Sequence, residues 1–366
     1  MNPISVSYRL RWVAIGVGVI LSGARPHMLN AQGCIASRGA GGGTSCLLGE
    51  VDGKEFAESW EASVGYRWLH SDRMFSGDVE QTQRAAEGSQ EINDSHFIDL
   101  SLRYSFTPQW SLELTLPTAV NDRSQVVRAL NQQRTILGRF HTHSAGLGDI
   151  RLMGYGWALV PTNHPHGNVQ LGLGVSAPSG DRDVQDTFLI PGRRGPIAQT
   201  HAVDQSIQLG AGGWGSVFEV AAYREVIPRL SVYINGAYTL TPQESYTPTA
   251  SLSGTYSITD NYLARGGFEW VAWPSRSISF SLGARIEGVP VHDLVGGSDG
   301  FRRPGYAISV EPGVSTMYHS WSASLTAPFA VYRNRQQSVQ EQENGMAPVA
   351  AGFADFVFVF RLSRTF

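Results

Sequence analysis

Residues 354–366 alternate with a period of two. Ala354, Phe356, Phe358, Phe360, Leu362 and Phe366 fall on one side with Arg364, while Asp355, Val357, Val359, Arg361, Ser363 and Thr365 fall on the other. Successive side chains of a β-strand point to opposite faces. This segment is therefore a strand with an aromatic, apolar face and a largely polar one. Such an element must hide its apolar face against a second sheet, as in a sandwich, or against hydrocarbon, as in a spanning barrel.

The same alternation recurs along the chain. Residues 58–70 place Trp60, Ala62, Val64, Tyr66 and Trp68 against Glu61, Ser63 and Arg67; residues 96–106 and 110–120 repeat the pattern. Comparable segments cover 147–160, 168–177, 206–225, 229–240, 262–273, 277–287, 305–317, 321–332 and 352–366. That predicts twelve strands. The less regular segments 147–160 and 206–225 leave ten or fourteen as alternatives. The links 107–109, 161–167, 226–228, 274–276 and 318–320 are short, and Pro108, Pro161, Pro228 and Pro274 mark four of them. Proline lacks the ladder donor and belongs at strand ends. Between them lie long polar links at 71–95, 121–146, 178–205, 241–261, 288–304 and 333–351. Alternating short turns and long loops, with strands of about 11 residues ringed by Trp and Tyr, suit an antiparallel transmembrane barrel of the up-and-down kind. No apolar run reaches the roughly 18 residues that a spanning helix needs.

The amino terminus has the layout of a secretory signal. Arg9 and Arg11 precede the apolar stretch Trp12 to Leu21, and Leu29-Asn30-Ala31 supplies a small-residue end. The expected organisation is a signal peptide over 1–31, a Gly-rich periplasmic lead over 32–57 and an all-β barrel over 58–366. The only two cysteines, Cys34 and Cys46, lie in that lead. Outside the cytoplasm they are expected to form a disulfide, with a lipidated Cys34 as the alternative. The formal net charge is −3, and Lys54 is the only lysine. No basic block offers itself to nucleic acid.

A carboxy-terminal aromatic on an alternating strand, here Phe366 with Phe360 and Leu362, resembles the assembly signal of bacterial outer-membrane barrels. Three further stretches carry a wider resemblance: Tyr66-Arg67-Trp68 with Ser71 through Gly77; Gly146-Leu147-Gly148-Asp149-Ile150; and Glu311-Pro312-Gly313-Val314 with Val331 through Arg335. Together they resemble the loosely defined transporter barrels near the phenol-degradation-pathway (MetA-like) family. The Gly-Leu-Gly-Asp stretch is also similar to hydrocarbon and fatty-acid channels, which have more strands and an amino-terminal plug. The resemblance implies an outer-membrane location, insertion by the barrel-assembly machinery, contact with outer-membrane lipid, and passage of small, aromatic or apolar solutes.

The polar faces collect Glu61, Arg67, Asp99, Arg103, Glu113, Asp149, Arg151, Arg265, Glu269, Arg285, Glu287, Glu311, Asp355 and Arg361. A charge turned to lipid at the bilayer midplane costs roughly 2–4 kcal/mol, so these residues are expected to line the lumen. The expected function is passive diffusion of a small-molecule solute through that mixed-charge lumen. A closed-lumen structural or surface-interaction barrel is the alternative, and a phospholipase-like barrel enzyme the third reading. The enzyme is not favoured, because no histidine is followed two residues later by serine. His141 with His143, and His164 with His166, have the spacing of metal-ligand pairs, but they read as solvated loop residues without a nearby carboxylate. Gly210 through Gly215 matches a dinucleotide-binding pattern inside an expected strand, where wall packing explains it better. No cofactor and no metal are expected.

Overall fold

The computed structural model describes residues 58–131 and 134–366. The expected signal peptide, the lead and the Cys34–Cys46 pair lie outside the described residues.

The strands are β1 (Ser59–Ser76), β2 (Ile92–Ser105), β3 (Trp110–Arg128), β4 (Ile136–Leu147), β5 (Arg151–Trp157), β6 (Gly167–Ser176), β7 (Gln185–Gly192), β8 (Gly195–Ala202), β9 (Gly215–Ile227), β10 (Leu230–Leu240), β11 (Asn261–Trp273), β12 (Ile278–Val289), β13 (Gly305–Tyr318), β14 (Trp321–Thr326), β15 (Phe329–Arg335) and β16 (Ala351–Thr365). β4 with β5, and β14 with β15, each form one interrupted stave, while β7 and β8 make a separate hairpin. That leaves a barrel of twelve antiparallel staves. It closes where β1 runs against β16, from Glu61↔Thr365 to Phe75↔Ala351. Three of the short turns carry a left-handed non-glycine residue, Arg229, Ser277 and His319, the conformation that tight hairpin turns demand.

The wall is inverted relative to a soluble protein. Leu100, Leu112, Leu171, Leu173, Phe268 and Leu282 are exposed on the outside, while Arg67, Arg103, Glu113, Arg151, Arg285 and Glu311 are buried. Exposed Trp60, Trp110, Trp270, Trp273, Trp321 and Phe366 ring the end that bears the short turns. Charged groups inside and aliphatic groups outside are stable only when the surroundings are hydrocarbon. The chain is a bacterial outer-membrane β-barrel.

Two sequence expectations need correction. The link predicted at 121–146 is mostly strand and the one at 71–95 is strand at both ends, around a short helix at Thr82–Ala86, because β1 to β4 continue past the apolar belt. Beyond hydrocarbon both faces of a strand are polar, so the alternation that marks a spanning strand disappears although the ladder persists. The segment predicted as a strand over 206–225 is strand only from Gly215. Residues before it turn inward over the lumen.

Candidate functional site

At mid-depth the inner wall carries a layer of charged side chains, paired for the most part within a strand or between neighbouring and next-but-one staves. Arg103 Nη2 lies 2.8 Å from Glu113, and Arg361 lies 3.4 Å from Glu61 and 4.0 Å from Glu113. On the opposite wall Arg265 reaches Glu311 at 2.7 Å, and Arg285 reaches Glu287 at 2.9 Å and Glu311 at 3.6 Å. Tyr155 donates its hydroxyl hydrogen to Glu219 at 3.0 Å, and Ser315 donates to Glu269 at 3.3 Å. Arg103 also lies over the Tyr155 ring. Each buried guanidinium here has a carboxylate, as burial of charge requires.

A lid covers the extracellular mouth. The segment 203–213, which follows β8, crosses between opposite walls. Ser144 on β4 donates to the Ile207 carbonyl, Tyr256 donates to that of Val203 at 3.1 Å, and Gln205 donates to that of Ser257 at 2.6 Å. Within it, buried Asp204 stands between Arg123 at 3.7 Å and Arg303 at 3.4 Å. Burial alone would raise the Asp204 pKa, but the two guanidinium groups outweigh it and hold the carboxyl below the ordinary carboxylate range. Arg302 is held by Asp293, and Arg335 by Glu341 at 2.9 Å. None of Arg123, Asp204, Arg302, Arg303 and Arg335 was expected at the site from the sequence, although Arg335 ends the Val331–Arg335 stretch. They sit in segments that read as polar links, and nothing local distinguishes a buried loop arginine from a solvated one.

Between lid and charge layer lies a cavity. Arg67, Asp99 and Arg151 form its floor; Asn121, Gln208 and Arg303 bound it above; Phe97, Pro117, Leu209, Tyr246 and Val289 supply apolar wall. On one side it meets a break in the barrel. β3 pairs with β4 along its upper half and with β5 along its lower half, and Gly148-Asp149-Ile150 leave the ladder between them. Gly148 N–H donates to the Pro117 carbonyl at 2.7 Å, and Ile150 N–H donates to Ser179 Oγ at 2.8 Å. Asp149, expected on a regular strand, instead accepts from the backbone N–H of Gly180 at 3.0 Å and of Ala211 at 2.7 Å, tying the lid to the break. The Leu209 side chain packs so close to Gly146 that a Cβ there would come within 2.9 Å of it.

The remaining sequence candidates are placed as follows. Asp355 sits beside a register shift and is half exposed, bridging Arg73 at 2.8 Å and Arg333 at 2.6 Å. The Gly210–Gly215 run is not wall packing in a strand. Gly210 to Gly213 belong to the lid, where a Cβ on Gly210 would sit 2.3 Å from the Gly180 carbonyl oxygen and Gly212 takes a left-handed φ of 98°, and Gly215 opens β9. His166 meets Glu225 at a turn, with His164 nearby. His141 and His143 are not loop residues: both stand on β4, and Asp122 faces them from β3.

No family model matches the chain, and no curated protein matches it. Among solved structures it is similar to the COG4313 outer membrane channel from Pseudomonas putida F1, at 12% identity and a TM-score of 0.54, over 85% of this chain and 96% of that one. A Pseudomonas aeruginosa FadL homologue matches at 8% identity and a TM-score of 0.42, over 88% of this chain and 92% of that one. The first likeness supports the barrel fold, and the second carries no argument of its own.

Proposed function

We propose that this protein is an outer-membrane channel for small apolar or aromatic solutes, which dock in the cavity under the lid and move by passive diffusion. The observation that carries the reading is the position of that cavity. It lies between a pinned lid and the break at Gly148-Asp149-Ile150, with Phe97, Pro117 and Leu209 on the broken side. An apolar solute gains nothing by crossing a layer of paired charges. The gap in the ladder beside Leu209 offers it a sideways route towards lipid. The resemblance of the sequence to aromatic-compound transporters points to the same solute class.

The test is uptake of labelled toluene by intact Gram-negative cells, whose lipopolysaccharide leaflet slows unaided entry. Expression of the barrel should raise the rate. Leu209→Trp, which fills the broken side, should lower it several-fold while leaving the amount of folded barrel unchanged. Equal rates with and without the barrel would sink the proposal. They would favour a closed-lumen structural barrel, a reading that the buried ion pairs at mid-depth also suit.

A further inference from the structure

The outward face of the barrel carries a cluster that the channel reading does not use. On the extracellular extension, Asp122 of β3 is paired directly with His143 of β4, and His141 is the next residue on the same face. The Asp122 carboxylate lies 2.8 Å from His143 Nε2 through one oxygen and 2.8 Å from His141 Nδ1 through the other. The two imidazole rings are near-parallel, 6.2 Å apart and 17° between planes. One ligand atom from each residue falls within 4.8 Å of the other two. A second carboxylate stands behind: Asp186 of the β7–β8 hairpin lies 3.3 Å from His143 Nδ1 and accepts the His143 backbone N–H at 2.7 Å.

We propose that Asp122, His141 and His143 form a binding site for a divalent transition-metal ion of the zinc class, with Asp186 as the outer carboxylate that orients His143. Two imidazoles and a carboxylate are a donor set suited to zinc, copper or nickel rather than magnesium or calcium. Three protein ligands leave a fourth position for water. Coordination through His143 Nε2 requires the ring hydrogen on Nδ1, and Asp186 is where that hydrogen is accepted. An imidazole backed in this way by a carboxylate is the usual outer arrangement of a metal-bound histidine. The ligands stand on paired strands rather than in loops, so the ladder holds them in place. In a tetrahedral site with bonds of about 2.0–2.1 Å the donor atoms are about 3.3 Å apart. The three donor atoms here lie within 4.8 Å of one another, so metal binding would draw them into that spacing. The hairpin carrying Asp186 runs into the lid at Val203, so an occupied site would also brace the lid from outside.

Zinc titration of the purified, folded barrel in chelator-free detergent buffer, followed by calorimetry, is the test. One equivalent should bind per chain, and X-ray absorption should show two imidazole nitrogens at about 2.0–2.1 Å. The double variant His141→Ala/His143→Ala should lose that equivalent, and Asp186→Asn should bind about ten-fold more weakly. Heat-modifiable migration on gels confirms that each variant is a folded barrel. A neighbouring group serves as the control: Asp94 lies 3.3 Å from His70 and 3.2 Å from His96 on the same face. His70→Ala/His96→Ala should leave binding intact. No zinc binding by the parent protein would overturn the proposal and leave Asp122 as a plain hydrogen-bond acceptor. Loss of binding only in the His70/His96 variant would overturn it as well.

Discussion

At the scale of single residues, the interior is held by matched charge. Glu113 is 2% exposed and faces both Arg103 and Arg361. Arg361 keeps Glu61, but removing the carboxylate takes the close partner of buried Arg103 and incurs the penalty of breaking a buried pair, about 3–5 kcal/mol. Glu113→Leu should therefore lower stability by that amount in equilibrium urea unfolding from lipid vesicles, read by tryptophan fluorescence. Adding Arg103→Met to the same chain should recover much of the loss, since a buried pair exchanged for apolar side chains of similar volume is often neutral. A single variant as stable as the parent would mean that water already reaches this layer.

The lid shows how an element is set by charges from distant parts of the chain. Its central carboxylate, Asp204, has a pKa below the ordinary value in the folded state because Arg123 and Arg303 outweigh burial. A depressed carboxylate stabilises the fold above its unfolded pKa of about 3.9, and that contribution is lost as pH falls through the lower folded value. The lid should therefore stay closed from neutral pH down to about 4 and loosen below it. Amide hydrogen exchange across 203–213 would show this as protection lost only in that acid window. Asp204→Asn, which removes the charge at every pH, should expose the same amides at neutral pH. Protection unchanged in that variant would mean that the backbone anchors to Ser144, Tyr256 and Ser257 hold the lid without the ion pairs.

For the molecule as a whole, the boundary between hydrocarbon and water falls along strands that cross it without interruption. Leu171 is 59% exposed on the spanning part of β6, and Leu137 is 39% exposed on the extension of β4. Arginine at the first should cost roughly 2–4 kcal/mol of folding free energy, and at the second about 0–1 kcal/mol. Refolding of Leu171→Arg and Leu137→Arg into vesicles of one lipid composition measures the difference directly. Equal costs would place the belt higher on the barrel than the aromatic ring at the short-turn end implies.

The twelve staves were legible in the sequence because hydrocarbon on one side and a polar interior on the other impose a period of two on every spanning segment. Residues 354–366 and 96–106 show it without help from any neighbour. Where that contrast ends, so does the signal: β1 to β4 run on into water, and their polar extensions read as loops. The tertiary structure alone decided what those extensions and loops bring together. Asp204 meets Arg123 from 81 positions earlier and Arg303 from 99 positions later. Asp122 meets His141 and His143 only because β3 and β4 pair in one register. Alternation is a property of a strand and its two solvents, and one chain segment carries it. A cavity, a lid or a ligand cluster is a property of register between strands, which no single segment contains.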